Sequence, residues 1–345
     1  MKKMCLSFIF TCAYCLSWAY TGHDYTKIDA HARATPATQT KSISKLAAHL
    51  TKPATNDYQK VRSFYVWISD NITYDVDLFR RYRPGSSLTI EPIDVIKKGK
   101  AVCQGYADLF NALCKEIGVE SRLIPGYSKG FGNESRTDFS NADHAWNSVL
   151  IDDKWYLLDA TWGAGGLNDK MQFRAHFNEK YFLASPAEFI KDHMPLQPMW
   201  QLLECPVSMK AFILGGEAIE QELSISKECY PYQKQIAEYN SMSEAVGRLS
   251  LAEEAYRFNP ANHRVMARGY MDYAHHIMSG VKRQLSSREE IEKAVAAQEK
   301  ALDYLLKAKA TLSNVKDGAE ADLDFVNKNI KNSEANIQSM KAVLQ

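Results

Sequence analysis

The chain has 345 residues and is nearly neutral, with 42 Lys and Arg residues against 41 Asp and Glu residues. This balance disfavours the classes of protein that bind nucleic acid or an anionic membrane mainly through charge, so neither is expected as a partner. The length predicts more than one domain.

The amino terminus has the pattern of a secretory signal peptide. Lysines precede an apolar run from Met4 to Trp18, which is too short to span a bilayer comfortably, and the small residue Ala19 follows the run. We therefore predict a signal peptide over residues 1–19, export to the periplasm or the extracellular space, and no transmembrane segment after cleavage. Cys12 and Cys15 lack the leucine and small residues that precede a lipidated cysteine, which disfavours a lipoprotein anchor.

The segment after the signal peptide leads into the first folded domain. Residues 20–41 contain repeated Ala, Thr, Pro and Gln, and they predict a solvated lead-in linker. The first domain is expected over residues 42–205. It opens with helix-forming stretches from Ser42 to Leu50 and from Asn56 to Ser69, and Gln59 stands where a capping box needs it.

A cysteine at the start of a helix is the most informative local feature. After Cys103, apolar residues recur at the spacing of one helix face: Tyr106, Leu109, Phe110, Leu113, Cys114 and Ile117. Gly118 predicts the end of this helix. The first turn of a helix favours a thiolate, because its unpaired N–H groups and the helix dipole are positive there. Gly105 adds no side chain beside the sulfur, so we expect a substrate backbone to approach closely. Cys114 lies on the apolar face and is interpreted as a packing residue.

A hairpin downstream carries a histidine and an aspartate. Ala145 to Ile151 and Lys154 to Asp159 both predict strands, and Asp152-Asp153 between them fits a two-residue turn. In the register set by this turn, His144 and Asp159 are diagonal neighbours on one face, with Cβ atoms about 7 Å apart. A slip of one residue would send Asp159 to the opposite face.

Cys103, His144 and Asp159 together predict a thiol nucleophile, its base and the group that orients the base. A non-catalytic interpretation stands beside this one. In it, the cysteine is a small hydrophobic residue, the histidine is a satisfied strand residue, and the aspartate caps a loop.

The flanking sequence carries a broader similarity to a known family. Its segments are KVRSFYVWI at 60–68, NITYD at 71–75, VCQGYA at 102–107, HAWN at 144–147, WYLLDATWG at 155–163 and YFL at 181–183. In these segments the sequence resembles the transglutaminase-like papain-fold superfamily and, within it, the branch of the kyphoscoliosis peptidase. The resemblance implies an α+β papain-like domain over residues 42–205, with the helix that bears the cysteine packed on an antiparallel sheet. It also implies that Cys103, His144 and Asp159 form a catalytic triad.

The resemblance implies a secreted thiol enzyme that acts on amide bonds of a protein or peptide substrate. Animal transglutaminases carry a tryptophan upstream of the cysteine helix that helps to stabilise the oxyanion, and residues 86–92 contain none. Hydrolysis by a cysteine peptidase is therefore favoured. A protein-glutamine transglutaminase or deamidase, or a binding module without activity, remain the alternatives. The backbone N–H of Cys103 can supply one oxyanion donor, and the second is unassigned.

The remaining cysteines and histidines do not predict a cofactor. After the predicted signal peptide no Cys-x-x-Cys or His-x-x-x-His spacing occurs, so we expect no metal. Cys205 and Cys229 either form a disulfide in an oxidising compartment or are both free and buried. A segment rich in Gly, Ser and Asn, residues 126–143, predicts a long loop beside His144.

The character of the sequence changes after Pro206. Residues 206–231 are interpreted as a connecting segment, and residues 232–345 predict an all-α domain from leucine and isoleucine residues at helical spacing. A faint similarity to tetratricopeptide repeats appears around Ala255 to Ala274, without a clean period. This domain is either a bundle packed on the enzyme or a surface that binds a protein partner.

Overall fold

A computed structural model describes residues 24–81, 90–130, 136–225, 229–282 and 284–345. The predicted signal peptide, residues 1–19, lies outside the described residues, as do residues 86–89 of the segment that lacks a tryptophan. Among the described residues, none of the helices is both long enough and apolar enough to cross a membrane.

The amino-terminal helices differ from the sequence prediction in one respect. They are α1 (Thr26–Arg33), α2 (Ile43–Leu50) and α3 (Asp57–Asn71), with a short 3-10 turn at Ala37–Gln39. The prediction of a solvated lead-in over residues 20–41 is wrong for α1, whose Ile28 and Ala32 are buried. The buried guanidinium of Arg62 on α3 donates to both carboxylate oxygens of Asp29 at 2.8 and 2.7 Å, and this contact holds α1 on the domain.

The helix that carries Cys103 follows a short crossover. The elements are β1 (Thr73–Tyr74), α4 (Val76–Arg81), α5 (Pro92–Lys98), β2 (Lys100–Ala101) and α6 (Cys103–Glu116). β1 and β2 pair in parallel. Helix α6 ends as predicted, since Gly118 adopts a left-handed φ of 71° just after it.

A four-stranded antiparallel sheet lies behind this helix. The next elements are β3 (Ser121–Ser128), β4 (His144–Ile151), β5 (Lys154–Leu158), α7 (Ala160–Ala164), β6 (Gly165–Leu167), β7 (Phe173–Ala175), a 3-10 turn (Glu179–Tyr181), α8 (Pro186–Phe189), β8 (His193–Pro195) and a 3-10 turn (Pro198–Gln201). The strand order is β5-β4-β3-β8, while β6 and β7 form a separate pair. Strand β3 extends to Ser128, so the first residues of the predicted 126–143 loop belong to the sheet.

The β4–β5 hairpin has the predicted register. Ile151 pairs with Lys154, and Asp152 and Asp153 both have positive φ, at 49° and 59°. Positive φ at both central residues is the geometry of a type I′ turn, which matches the twist of the two strands.

The carboxy-terminal part is helical, as predicted. Its elements are α9 (Met209–Leu214), α10 (Gly216–Leu223), α11 (Tyr232–Ser241), α12 (Glu244–Phe258), α13 (His263–Ser279), α14 (Arg288–Leu312) and α15 (Glu320–Leu344). The expected connecting segment 206–231 thus carries two helices of its own, α9 and α10. Cys205 and Cys229 are joined in a disulfide, with Cα atoms 5.2 Å apart. The tetratricopeptide similarity stays a prediction.

The apolar cores show how these parts are joined. One core lies between α3, α6 and one face of the sheet, around Phe64, Phe110 and Val149. Another covers the opposite face, and a third packs α9, α10 and α12 against Tyr127 and Met194 of the sheet. A fourth joins α13, α14 and α15. The molecule is an α+β domain with a cysteine-bearing helix on an antiparallel sheet, extended by helices that share its core.

Candidate active site

Cys103 is the first residue of α6 and is half-buried with a free thiol. Strand β2 ends one residue before α6, and Val102 between them is the N-cap residue in an extended conformation. The hydroxyl of Tyr106 donates to the carbonyl of Ile72 at 2.6 Å, which fixes the first turn of α6 to the end of α3. The predicted nucleophile therefore lies at the positive end of an anchored helix.

Gly105 has a different role from the one expected. A Cβ atom at this position would lie 2.7 Å from the Cβ of Ala101 and 3.3 Å from Cγ2 of Val95. The glycine is therefore needed for the close approach of β2 and α5 to the helix. The expectation that it opens space for a substrate backbone is wrong, because its free side is filled by the protein itself.

The hairpin brings His144 and Asp159 into contact, as its register predicts. Nε2 of His144 lies 2.8 Å from Oδ2 of Asp159, and both side chains are buried. Asp159 is also the N-cap of α7, where its Oδ1 accepts a hydrogen bond from the backbone N–H of Thr161 at 2.7 Å. This carboxylate is thus held through both of its oxygens.

The electrostatics of this pair follow from burial and from opposite charges. Burial alone would lower the pKa of His144, but the charge and hydrogen bond of Asp159, with a further hydrogen bond to Cys103, raise it well above its usual value. Burial alone would raise the pKa of Asp159, and its contacts with His144 and then with His193 hold it below its usual range instead. His144 can therefore hold the proton that the neighbouring thiol gives up. The three residues predicted from the sequence meet in one place.

A second histidine, His193, completes the site, and its place there was not predicted from the sequence. Nε2 of His193 lies 3.2 Å from Oδ2 of Asp159, and its Nδ1 lies 2.6 Å from Oδ1 of Asp192. His193 is fully buried, at 0% exposure. It belongs to β8, a strand of three residues that pairs with β3. A strand this short has too few residues for its alternation to be recognised, so no local signal marked it.

His144, Asp159 and His193 are also the residues that could surround a metal ion. One ligand atom from each lies within 4.8 Å of the others. These atoms are already connected by the two hydrogen bonds to Oδ2 of Asp159. A metal would have to replace both of those hydrogen bonds.

A cleft of about 500 Å³ opens beside His144. Its walls are largely aromatic, and they include Tyr74, Phe79, Trp162 and Phe173. Gly166 of β6 lines the cleft too, and a Cβ atom there would meet nothing within 4 Å. The cleft has the size typical of a ligand-binding pocket, and its lining is mostly apolar with a few polar groups.

The loop before His144 is held by ion pairing and by the helical region. The guanidinium of Arg136 binds the carboxylate of Asp143 at 2.5 Å and the carbonyl of Asn141 at 2.9 Å. Arg264 of α13 donates to the side-chain oxygen of Asn141 at 3.1 Å. The described part of the loop is therefore held both by contacts within the loop and by a contact from α13.

The part of the chain that carries this site is similar to known proteins. Residues 44–160, which contain all three predicted site residues, match the family model of the transglutaminase-like superfamily. The chain is 38% identical over 190 residues to the kyphoscoliosis peptidase of Mus musculus, a match that covers 54% of this chain and 28% of the relative. The human kyphoscoliosis peptidase is 37% identical over 190 residues, covering 54% of this chain and 28% of the relative. Hillarin of Drosophila melanogaster is 27% identical over 208 residues, covering 55% of this chain and 24% of the relative. The matched region thus spans about a quarter of the length of these curated relatives.

Proposed function

Because residues 44–160 form a transglutaminase-like domain of the kyphoscoliosis peptidase-like branch, we propose that the protein is a thiol enzyme that hydrolyses amide bonds of a protein or peptide. The observation that carries this proposal is the imidazole of His144, which is hydrogen-bonded to Asp159 at 2.8 Å and whose pKa is raised by Asp159 and then by Cys103. The thiol of Cys103 thus has a base, His144, beside it, and the base has an orienting carboxylate, Asp159. The sulfur lies at the amino terminus of a helix.

In the proposed reaction the sulfur of Cys103 attacks the carbonyl carbon, and its proton passes to His144. The tetrahedral intermediate collapses when His144 gives that proton to the leaving nitrogen, which leaves a thioester on Cys103. Water then attacks the thioester while His144 takes one of its protons. The thiol regains this proton as the carboxylic acid departs. Asp159 holds the ring so that the second nitrogen faces the sulfur throughout.

Water is the proposed acceptor, since residues 86–92 lack the tryptophan that accompanies amine transfer in the animal transglutaminases. A transglutaminase would have to keep the thioester from water until an amine arrives. We propose that the cleft beside His144 binds a side chain of the substrate, and its aromatic residues favour an apolar one.

Export from the cytoplasm is part of the proposal. It is supported by the apolar run near the amino terminus and by the disulfide between Cys205 and Cys229, because disulfides persist mainly in oxidising compartments. Sequencing the amino terminus of the protein recovered outside the cytoplasm would test it. An intact Met1 on that protein would contradict cleavage of a signal peptide.

The test of activity compares three variants with the wild type. Each is incubated with a denatured protein mixture and an amine probe, and mass spectrometry follows new peptide termini, deamidated glutamine and probe incorporation. We expect cleavage by the wild type and by Cys114→Ala, none by Cys103→Ala, and a loss of about 10⁴-fold in Asp159→Asn, the size seen when the orienting carboxylate of such a triad is replaced.

Cys114 is the matched control because it lies on the same helix, with its thiol fully buried. Robust amine incorporation that depends on Cys103 would replace the hydrolase by a transglutaminase. Deamidation that depends on Cys103 would indicate a deamidase. The absence of all three reactions, with a folded protein, would favour a binding module.

A further inference from the structure

We propose that His193 is a positioning residue of this site, which holds Asp159 in place through a second charged hydrogen bond and so fixes the orientation of His144. The inference rests on the proposed function. It extends the expected triad to a chain of five side chains: Cys103, His144, Asp159, His193 and Asp192.

The first observation is the sharing of one carboxylate oxygen. Oδ2 of Asp159 lies 2.8 Å from Nε2 of His144 and 3.2 Å from Nε2 of His193, while Oδ1 accepts from the N–H of Thr161. A carboxylate held by three donors from three directions cannot rotate about its side-chain bonds without losing one of them. His193 supplies the donor that comes from outside the hairpin and α7.

The second observation is the contact at the other ring nitrogen of His193. Nδ1 lies 2.6 Å from Oδ1 of Asp192, so carboxylates flank the ring at both nitrogens. An ionised carboxylate only accepts hydrogen bonds, so Nε2 of His193 donates to Asp159, while the other end of the ring is held by Asp192.

The surroundings of His193 hold its ring and its partner Asp192 in place. Oδ2 of Asp192 accepts from Nζ of Lys180 at 2.8 Å and from the hydroxyl of Tyr181 at 3.1 Å, so the outer carboxylate is itself fixed. Aromatic rings surround the imidazole, with centroids 4.1 Å away for Phe189 and 4.3 Å for Trp162. These rings pack against the imidazole and restrict its rotation.

The pKa shifts of Asp159 and Asp192 agree with this geometry. Burial would raise the pKa of Asp192, but the hydrogen bond and charge of His193, followed by those of Lys180, lower it. Asp159 behaves in the same way, with His144 as its stronger partner and His193 as the next. Both carboxylates are thus kept ionised, as an acceptor on either side of His193 must be.

The test distinguishes the hydrogen bond that His193 donates from the space that its side chain fills. His193→Met fills the space with an apolar chain that packs well among aromatic rings but donates no hydrogen bond. His193→Gln is also neutral, and its amide supplies one N–H donor that can reach Asp159. The variants are made in the full-length protein, and circular dichroism and thermal unfolding establish that each is folded.

Activity is measured as kcat and KM on a peptide that the wild type cleaves, and the rate of alkylation of Cys103 by iodoacetamide is measured without substrate. We expect His193→Met to lower kcat by about 10 to 100-fold, the size typical for a partner that orients an active-site ligand, with KM nearly unchanged. His193→Gln should recover most of this loss. The alkylation rates should follow the same order.

Equal kcat values and alkylation rates in the two folded variants would overturn the positioning role, as would wild-type values in His193→Met. Failure of both variants to fold would also overturn it, because His193 would then serve the fold. A wild-type protein without Cys103-dependent turnover would contradict the proposed function alone, since the alkylation rates still report on the contact between Cys103 and His144.

Discussion

Cys103 and Cys114 lie on the same helix in opposite environments. Cys103 is half-buried at the helix start, and it is one of the groups that raise the pKa of His144. Cys114 is fully buried in the core, and burial raises the pKa of its thiol to about 12. The two thiols therefore provide an internal comparison of reactivity within one folded protein.

Alkylation with iodoacetamide at neutral pH should modify Cys103 much faster than Cys114. The rate depends on the thiolate fraction and on access, and burial reduces both for Cys114. We expect a difference of at least about 100-fold at neutral pH, because the thiolate fraction falls tenfold for each pKa unit above the pH. Mass spectrometry of the two cysteine peptides over time measures both rates.

A variant of the base tests the contact itself. His144→Ala removes the proton acceptor and should slow the alkylation of Cys103 while leaving Cys114 unreactive. Equal, slow labelling of both cysteines in the wild type would contradict the assignment of Cys103 as nucleophile. An unchanged rate in His144→Ala would show that the histidine does not activate the sulfur.

Single residues were predictable where their position depended on local structure. Cys103 was found because a helix start is recognisable from the apolar spacing that follows it. His144 and Asp159 were found because the turn at Asp152-Asp153 fixes the register of the hairpin between them. His193 was missed because it reaches Asp159 only through the pairing of β8 with β3, which is a contact between distant parts of the chain.

Secondary-structure elements were likewise predictable only where the local sequence specifies them. The hairpin and α6 were predicted because each contains its own pattern and its own end signal. Helix α1 was missed because its segment is rich in Ala and Thr, and what holds it is the tertiary contact between Asp29 and Arg62. Helices α9 and α10 were missed for a similar reason, since they are short and are stabilised by the core around Tyr127.

Strand β6 offers a test of the cleft at the level of one element. Gly166 pairs with Arg174 of β7, lines the cleft and leaves room for a Cβ atom. Gly166→Val suits a strand and adds bulk to the cleft without a clash in the protein. We expect KM to rise about 10-fold or more for peptides with a large apolar residue beside the cleaved bond, and little change for peptides with alanine there.

Two measurements make this prediction specific. Alkylation of Cys103 by the small reagent iodoacetamide should proceed at the wild-type rate in Gly166→Val, because the site itself is unchanged. Kinetics on a pair of peptides that differ at one residue then report on the cleft. An equal change in KM for both peptides would show that the cleft does not select the side chain.

At the scale of the whole molecule, the helical region is bound to the sheet by specific polar contacts. The side-chain amide of Asn259 donates to the hydroxyl of Tyr127 at 2.7 Å and to the carbonyl of Phe139 at 2.8 Å. Asn262 donates to the same hydroxyl at 2.9 Å. Tyr127 lies on β3, and Phe139 lies in the loop that leads to His144. The corner between α12 and α13 thus supports the strand and the loop that position the predicted base.

This arrangement predicts how a chain without the helical region would behave. A separate helical adaptor would allow residues 24–204 to fold alone with a reactive Cys103. The core around Tyr127 and Met194 is instead completed by Phe212, Ile219 and Ala255 of the helical region. Removal of those side chains exposes apolar surface of the sheet to water and takes away the two amide donors of the Tyr127 hydroxyl.

We therefore expect residues 24–204 to be insoluble or to unfold at much lower temperature than residues 24–345. A milder change, Asn259→Ala in the full-length chain, should lower the midpoint of thermal unfolding by a few degrees and slow the alkylation of Cys103, since the loop before His144 loses one of its anchors. Leu306→Ala on the exposed side of α14 serves as the control, and it should alter neither quantity. A stable, soluble 24–204 chain with wild-type alkylation of Cys103 would show that the catalytic domain folds alone and would restore the helices to the role of an adaptor.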